Sequence, residues 1–124
     1  MHNKYVYYNH NPYNLKTKDC VCRAISTATG LLYEAVDNLL DLSAKEYGCD
    51  KLCVCCYSHL LEGILCYPRT DCQFKKTVED IAAEFPRNRI VIRIREHLTV
   101  SVYGNVLDIW NCSQELADCY WIVS

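Results

Sequence analysis

Apolar residues recur at helical spacing through the first two thirds of the chain and at every second position beyond Arg87. Val21, Ala24, Ile25 and Ala28 follow the i, i+3, i+4, i+7 rule for one buried helix face, with Asp19 placed as N-cap and Gly30 as the stop. Leu32, Val36, Leu39, Leu40 and Ser43 predict a second amphipathic helix that fades at Tyr47-Gly48. A third helical stretch is expected from Lys51 to Leu65, with Cys53, Cys56, Leu60 and Ile64 on one face and Pro68 ending it. A short helix from Thr77 to Glu84 turns Val78, Ile81, Ala82 and Phe85 inward, between a Thr77 cap and a Pro86 stop. Residues 1 to 18 are polar and tyrosine-rich, and Asn11-Pro12 marks a turn or extended entry.

Ile90, Ile92 and Ile94 then alternate with Arg89, Val91, Arg93 and Arg95, which predicts a strand with one buried face. His97 to Tyr103 is a second strand, Gly104-Asn105 the turn, Val106 to Trp110 a third strand, and Cys119 to Val123 a fourth. Helices come first and strands second. The expectation is one α+β domain over residues 1–124, its N-terminal helices packed on a C-terminal antiparallel β-sheet.

Composition narrows the class. Apolar residues make up 51% of the 124, enough for a real core, and no window is low in complexity, so disorder is not expected. A formal charge of −2 gives no electrostatic reason to expect nucleic acid or an anionic membrane as partner. No apolar run reaches the roughly 18–20 residues of a membrane span, and the start lacks the apolar core of a secretory signal, so a cytoplasmic location is expected. In a reducing compartment the ten cysteines read as thiols, metal ligands or a nucleophile rather than disulfides.

Cys20 falls in the first turn of the first helix, where unpaired N–H groups and the helix dipole stabilise thiolate over thiol. Asp19, an anion next door, works against this. A cysteine nucleophile also needs a base, a group that holds the base, and donors aimed at the oxyanion. His97, the histidine that falls in the sheet, supplies the base. Asp108 on the next strand supplies the orienter, and the Cys20 N–H with the Asn14 side chain the donors. Cys22 is an alternative nucleophile, deeper in the helix. Trp110, two residues beyond Asp108, is placed to shield the His97 pair.

Asn14 six residues ahead of Cys20, then His97, then Asp108-x-Trp110, resembles the order found in papain-like cysteine peptidases. Asp19-Cys20-Val21-Cys22-Arg23-Ala24-Ile25-Ser26, followed by Thr29-Gly30, and Leu107-Asp108-Ile109-Trp110-Asn111-Cys112-Ser113 also resemble small uncharacterised papain-like proteins of phages and bacteria. The likeness covers residues 13–40 and 96–123. It implies a papain-like fold, no cofactor, and a Cys-His-Asp/Asn triad acting as peptidase, amidase or acyl transferase on a peptide or other amide substrate. The spacing of eleven residues between His97 and Asp108 is closer to the bacterial cell-wall peptidases of this superfamily than to papain. A regular hairpin closed at Gly104-Asn105 sets Asn111 or Cys112 opposite His97 and leaves Asp108 about four rungs, ~13 Å, away. Asn111 therefore stands as the alternative orienter.

Cys49, Cys53, Cys55, Cys56, His59, Cys66 and Cys72 offer soft ligands, but their spacing is irregular, and Cys53 and Cys56 share the apolar stripe of the third helix with Leu60. They read as core, with no metal expected and a zinc-binding interaction module as the alternative. The row Arg87, Arg89, Arg93 and Arg95 reads as a solvated strand face. The rival to a hydrolase is a non-catalytic phage or bacterial binding or inhibitor protein on the same fold, with a host protein as partner.

Overall fold

The computed structural model describes residues 5–11 and 19–124. Asn14, named above as an oxyanion donor, lies outside them. The described chain runs β1 (Tyr5–Tyr7), α1 (Cys20–Thr29), α2 (Tyr33–Tyr47), α3 (Val54–Ser58) continued by a π-helical turn (His59–Ile64), β2 (Arg69–Asp71), α4 (Val78–Glu84), β3 (Arg89–Ile94), β4 (His97–Val102), β5 (Asn105–Asp108) and β6 (Ala117–Ile122). The strands form one six-stranded sheet in the order β1-β5-β4-β3-β6-β2. The architecture is α+β. Among the described residues no helix is long and apolar enough to cross a membrane.

The sheet is mixed rather than antiparallel, because β1 adds to its edge parallel to β5, with Tyr5 beside Val106 and Tyr7 beside Asp108. β1 and β2 are each three residues long, too short to show a period of two in the sequence. Helices cover both faces. Ile25 and Ala28 of α1, Val36 and Leu40 of α2, and Leu60 and Leu61 of the π turn pack on Val91, Leu98, Val100 and Trp121. On the opposite face Val78, Ile81 and Ala82 of α4 pack on Ile90, Ile92, Ile94 and Val106. β3 is thus buried on both sides, with Val91 facing the N-terminal helices, and its flanking arginines had disguised the second apolar face.

Local chemistry explains the boundaries. α1 and α2 each end on a glycine with positive φ, Gly30 at 77° and Gly48 at 64°, where a side chain would be strained. α4 starts in a capping box: Thr77 accepts from the Asp80 N–H at 3.1 Å and Asp80 accepts from the Thr77 N–H at 3.0 Å. The helix expected from Lys51 to Leu65 starts at Val54 and ends in the π turn. On its expected stripe Cys56 and Leu60 are buried and Cys53 and Ile64 pack half-buried against the same core, and Tyr57 and Leu61 join them.

The β4–β5 hairpin closes at Tyr103-Gly104, with φ of 51° and 84°, and pairs Val102 with Asn105. The expected Gly104-Asn105 turn is displaced by one residue. Two positive φ values in a two-residue loop give the twist a hairpin prefers, and the tyrosine's part in that turn is not visible in its residue type.

Trp121 is fully buried, its ring edge-on to Tyr57 at 6.1 Å. Trp121→Ala should cost about 3–5 kcal/mol of unfolding free energy, and Thr77→Ala about 1 kcal/mol through loss of the cap. Urea denaturation followed by circular dichroism measures both, and the two variants should differ in midpoint in that order.

Candidate active site

Three elements converge behind Cys20. The residue opens α1, and the first backbone bond of that helix runs from the Arg23 N–H to the Asp19 carbonyl at 3.0 Å. The N–H groups of Cys20, Val21 and Cys22 precede that ladder and point from the helix start. His97 opens β4, directly after the Arg95-Glu96 turn in which Glu96 takes a positive φ of 57°. Both residues line the same cleft, a space of about 370 Å³ between α1, the segment before α3 and the β3–β4 turn.

Asp108 stands behind the imidazole. Its Oδ2 lies 2.6 Å from His97 Nε2, which leaves Nδ1 as the ring nitrogen free of the carboxylate. The hairpin register explains the contact. β4 and β5 pair Val100 with Leu107, and one step further the same register sets Asp108 across from Thr99, on the face that His97 also uses. The displaced turn therefore closes the distance that a Gly104-Asn105 hairpin would have left. Asn111, the alternative orienter, is exposed and accepts the Ser113 N–H on its Oδ1 at 3.1 Å.

The other oxygen of Asp108 is also held. Oδ1 accepts from the Ile109 N–H at 2.7 Å and pairs with Arg23 Nη1 at 3.2 Å. Arg23 is itself only 6% exposed, and its Nε meets Asp19 Oδ1 at 2.6 Å. Asp19 Oδ2 accepts from Tyr33 Oη at 2.7 Å and from Asn11 Nδ2 at 2.9 Å. Asp19 occupies the N-cap position without capping by its side chain, because its carboxylate is taken by these groups. The result is a buried run of hydrogen bonds, Tyr33 and Asn11 to Asp19, Asp19 to Arg23, Arg23 to Asp108, and Asp108 to His97.

The ionisation of the site follows from these contacts. Burial pushes the Cys20 thiol up, but hydrogen bonding from His97 and the Leu98 N–H, with the positive charges of His97 and Arg23, outweighs it and lowers the thiol from its ordinary value. Burial works against the charged form of His97, while the Asp108 hydrogen bond, the Cys112 and Cys20 side chains and the Asp108 charge raise its pKa to about 11. Desolvation likewise opposes ionised Asp108, but the His97 contact and charge, the Thr99 hydroxyl and the Ile109 N–H hold it below the usual carboxylate range. All three shifts favour a thiolate beside an imidazolium. Cys22 is different: it is buried, its thiol donates to the Tyr33 carbonyl at 3.2 Å, and burial raises its pKa to about 12.

Trp110 lies beyond the end of β5, its ring 5.2 Å from that of His97, and is 42% exposed. It flanks the imidazole rather than sealing it. Among the other described histidines, His10 sits by Thr27 and Ser26, and His59 bonds Glu46 at 2.8 Å, so neither reaches the cleft. Among the described residues, two groups of side chains bring metal-ligating atoms within 4.8 Å of one another: His97, Asp108 and Cys112, and Cys49, Cys53 and Cys55. In the first group the Arg23 guanidinium already neutralises Asp108, which disfavours a second cation there. Of the cysteines placed in the core by their spacing, Cys56 is buried, Cys53 is half-buried, and Cys55 and Cys66 are exposed.

Arg23 was not marked by the periodicity. Its signal in the sequence is a single charge inside the apolar run from Val21 to Ile25, four residues beyond Asp19, the spacing of a helical ion pair. Replacing it by methionine leaves Asp19 without its cation and Asp108 with His97 alone, and should cost about 3–5 kcal/mol at pH 7. Both carboxyls are held low in the native protein, so the stability they contribute is present at neutral pH and lost as pH falls through their depressed values. In Arg23→Met the two are less depressed and lose less on acidification. The stability gap between the proteins, measured by urea denaturation, should therefore stay nearly constant from pH 7 to about pH 5 and narrow as pH falls below the ordinary carboxylate value of about 4.

No family model, no curated protein and no solved structure matches this chain.

Proposed function

We propose that the protein is a papain-like thiol hydrolase or acyl transferase in which Cys20 is the nucleophile, His97 the proton carrier and Asp108 the residue that orients and charges His97. The observation that carries this reading is the junction of a thiol at a helix N-terminus with an imidazole whose far nitrogen is 2.6 Å from a buried carboxylate. In the resting state the Cys20 proton resides on His97. The thiolate attacks the carbonyl carbon of an amide, the carbonyl oxygen becomes an oxyanion, and its nearest donors are the N–H groups at the start of α1. His97 then gives its proton to the leaving amine, forming a thioester on Cys20. Water, or an acceptor amine, attacks the thioester and gives one proton to the now neutral His97, so that the acyl group leaves as an acid or a new amide and the thiolate–imidazolium pair is restored.

The cleft supports an extended substrate with both polar and apolar groups. Leu52, Val54 and Tyr57 line one side, while Arg93 and Arg95 bring positive charge and Glu96 and Asp118 negative charge to its rim. Of the arginine row, Arg93 and Arg95 thus contribute to the cleft wall.

p-Nitrophenyl acetate tests the mechanism without knowledge of the substrate. Wild-type protein should release several equivalents of nitrophenolate per chain, with a transient acetyl group mapped to Cys20 by mass spectrometry. Cys20→Ala should abolish this release, and His97→Ala should slow it by about 10²–10⁴-fold. Acylation that is spread over Cys55 and Cys66, or that is unchanged in His97→Ala, contradicts the mechanism and favours a binding protein.

The pH dependence follows from the same contacts. Iodoacetamide alkylation of Cys20 requires the thiolate, so its rate should reach half its plateau below the ordinary cysteine pKa. Asp108→Asn removes the main support of the His97 charge and should move that midpoint upward. One pKa unit corresponds to about a tenfold fall in the alkylation rate on the acid side.

A further inference from the structure

Cys49, Cys53 and Cys55 gather at the end of α2 and the start of α3, in the segment whose Leu52 and Val54 line the active cleft. Their sulfur atoms lie within 4.8 Å of one another, and Cys53 Sγ and Cys55 Sγ are 2.8 Å apart. Cys49 and Cys53 pack at the edge of the core, but core packing gives no reason for the exposed Cys55 to join them. Cys49 and Cys53 are half-buried and Cys55 is exposed, whereas the neighbouring Cys56 is a core residue with its thiol on the Leu40 carbonyl at 3.4 Å. His59 is engaged with Glu46, so the group consists of sulfur alone.

We propose that these three cysteines form a thiolate site for a thiophilic closed-shell cation, zinc or copper(I), which fixes one wall of the cleft. Three sulfurs held this close suit such an ion: tetrahedral zinc with bonds of about 2.3 Å separates its sulfurs by about 3.8 Å, inside the span of the cluster. Seating it requires the Cys53–Cys55 contact to open by about 1 Å, which χ1 rotation supplies and which relieves a crowded pair of sulfurs. Thiolate ligands select zinc or copper(I) over magnesium or calcium. Zinc keeps a fourth position for solvent on the exposed side of Cys55, and copper(I) is satisfied by three sulfurs. Each bound thiol gives up its proton to solvent, so uptake of one ion releases up to three protons.

The site holds the wall because its ligands bracket it. Cys49 is anchored through its N–H to the Ala44 carbonyl at the end of α2, and Cys53 through its N–H to the Asp50 carbonyl at 3.1 Å. Leu52 and Val54 alternate with the ligands along the chain, so an ion on the sulfurs restrains the segment that carries these two residues of the cleft lining.

The test uses the reduced full-length chain under anaerobic conditions. It is titrated with zinc against a chromophoric zinc chelator, and separately with copper(I) against bathocuproine disulfonate. One equivalent of at least one ion should bind to wild type, to Cys66→Ser and to Cys20→Ser, the last of which separates this site from the catalytic reading. Cys55→Ser and the Cys53→Ser/Cys55→Ser double variant should bind less than one equivalent while keeping the wild-type circular dichroism spectrum. The thermal midpoint of wild type should rise on metal addition and that of Cys55→Ser should not. If neither ion binds to wild type at one equivalent, or if binding survives in the double variant, the site does not exist as described.

Discussion

The buried carboxylate of Asp108 constrains the arrangement of the whole site. An anion only 3% exposed is costly unless opposite charge and hydrogen bonds surround it. Here one oxygen is held by Arg23 and the Ile109 N–H and the other by His97. Arg23 comes from α1 and His97 from β4, so satisfying one carboxylate fixes the helix against the sheet. Cys20 lies three residues before Arg23 on the same helix and is carried to the imidazole by that docking. Stability and chemistry thus share a cause. The charge that must be neutralised for the chain to fold is also the charge that holds His97 protonated.

The apolar core sets the frame in which this happens. Trp121, Leu98 and Val100 meet α1, α2 and the π turn on one face, and α4 closes the other. β4 lies inside the sheet between β5 and β3, which places its first residue, His97, at the rim of a layer covered on both sides. A strand end there exposes a side chain to the cleft without sacrificing ladder bonds. The edge strand β1 secures the far side of the hairpin, where the Tyr8 N–H and the Tyr5 hydroxyl both donate to the Asp108 carbonyl at 2.9 and 3.0 Å.

Much of this was legible in the residue pattern, and the failures have identifiable causes. α1, α2 and α4 follow from apolar spacing and from Gly30, Gly48 and Thr77 as punctuation, because those features are local. β1 and β2 were hidden by their length, and the parallel pairing of β1 depends on contacts far along the chain. The hairpin turn was misplaced because Asn105 is a more usual turn former than Tyr103, and one residue of register decided whether Asp108 or Asn111 met His97. The third helix was drawn as a continuous α-helix from Lys51; its stripe of Cys53, Cys56, Leu60 and Ile64 does meet one core, but the helix starts at Val54 and its π turn was not visible in apolar spacing. Arg23 was missed because periodicity weighs apolar residues, while the role of this cation rests on partners at positions 19 and 108.

The charge state of His97 is the most direct measure of whether Asp108, Arg23 and Cys20 act together. Nitrogen-15 NMR of the imidazole, followed across pH, distinguishes imidazolium from either neutral tautomer. An imidazolium that persists at neutral pH and loses its proton only well above 7, toward the value of about 11 that its surroundings impose, is the predicted result. A neutral ring at pH 7 that titrates near the ordinary histidine value of about 6.5 would contradict the account.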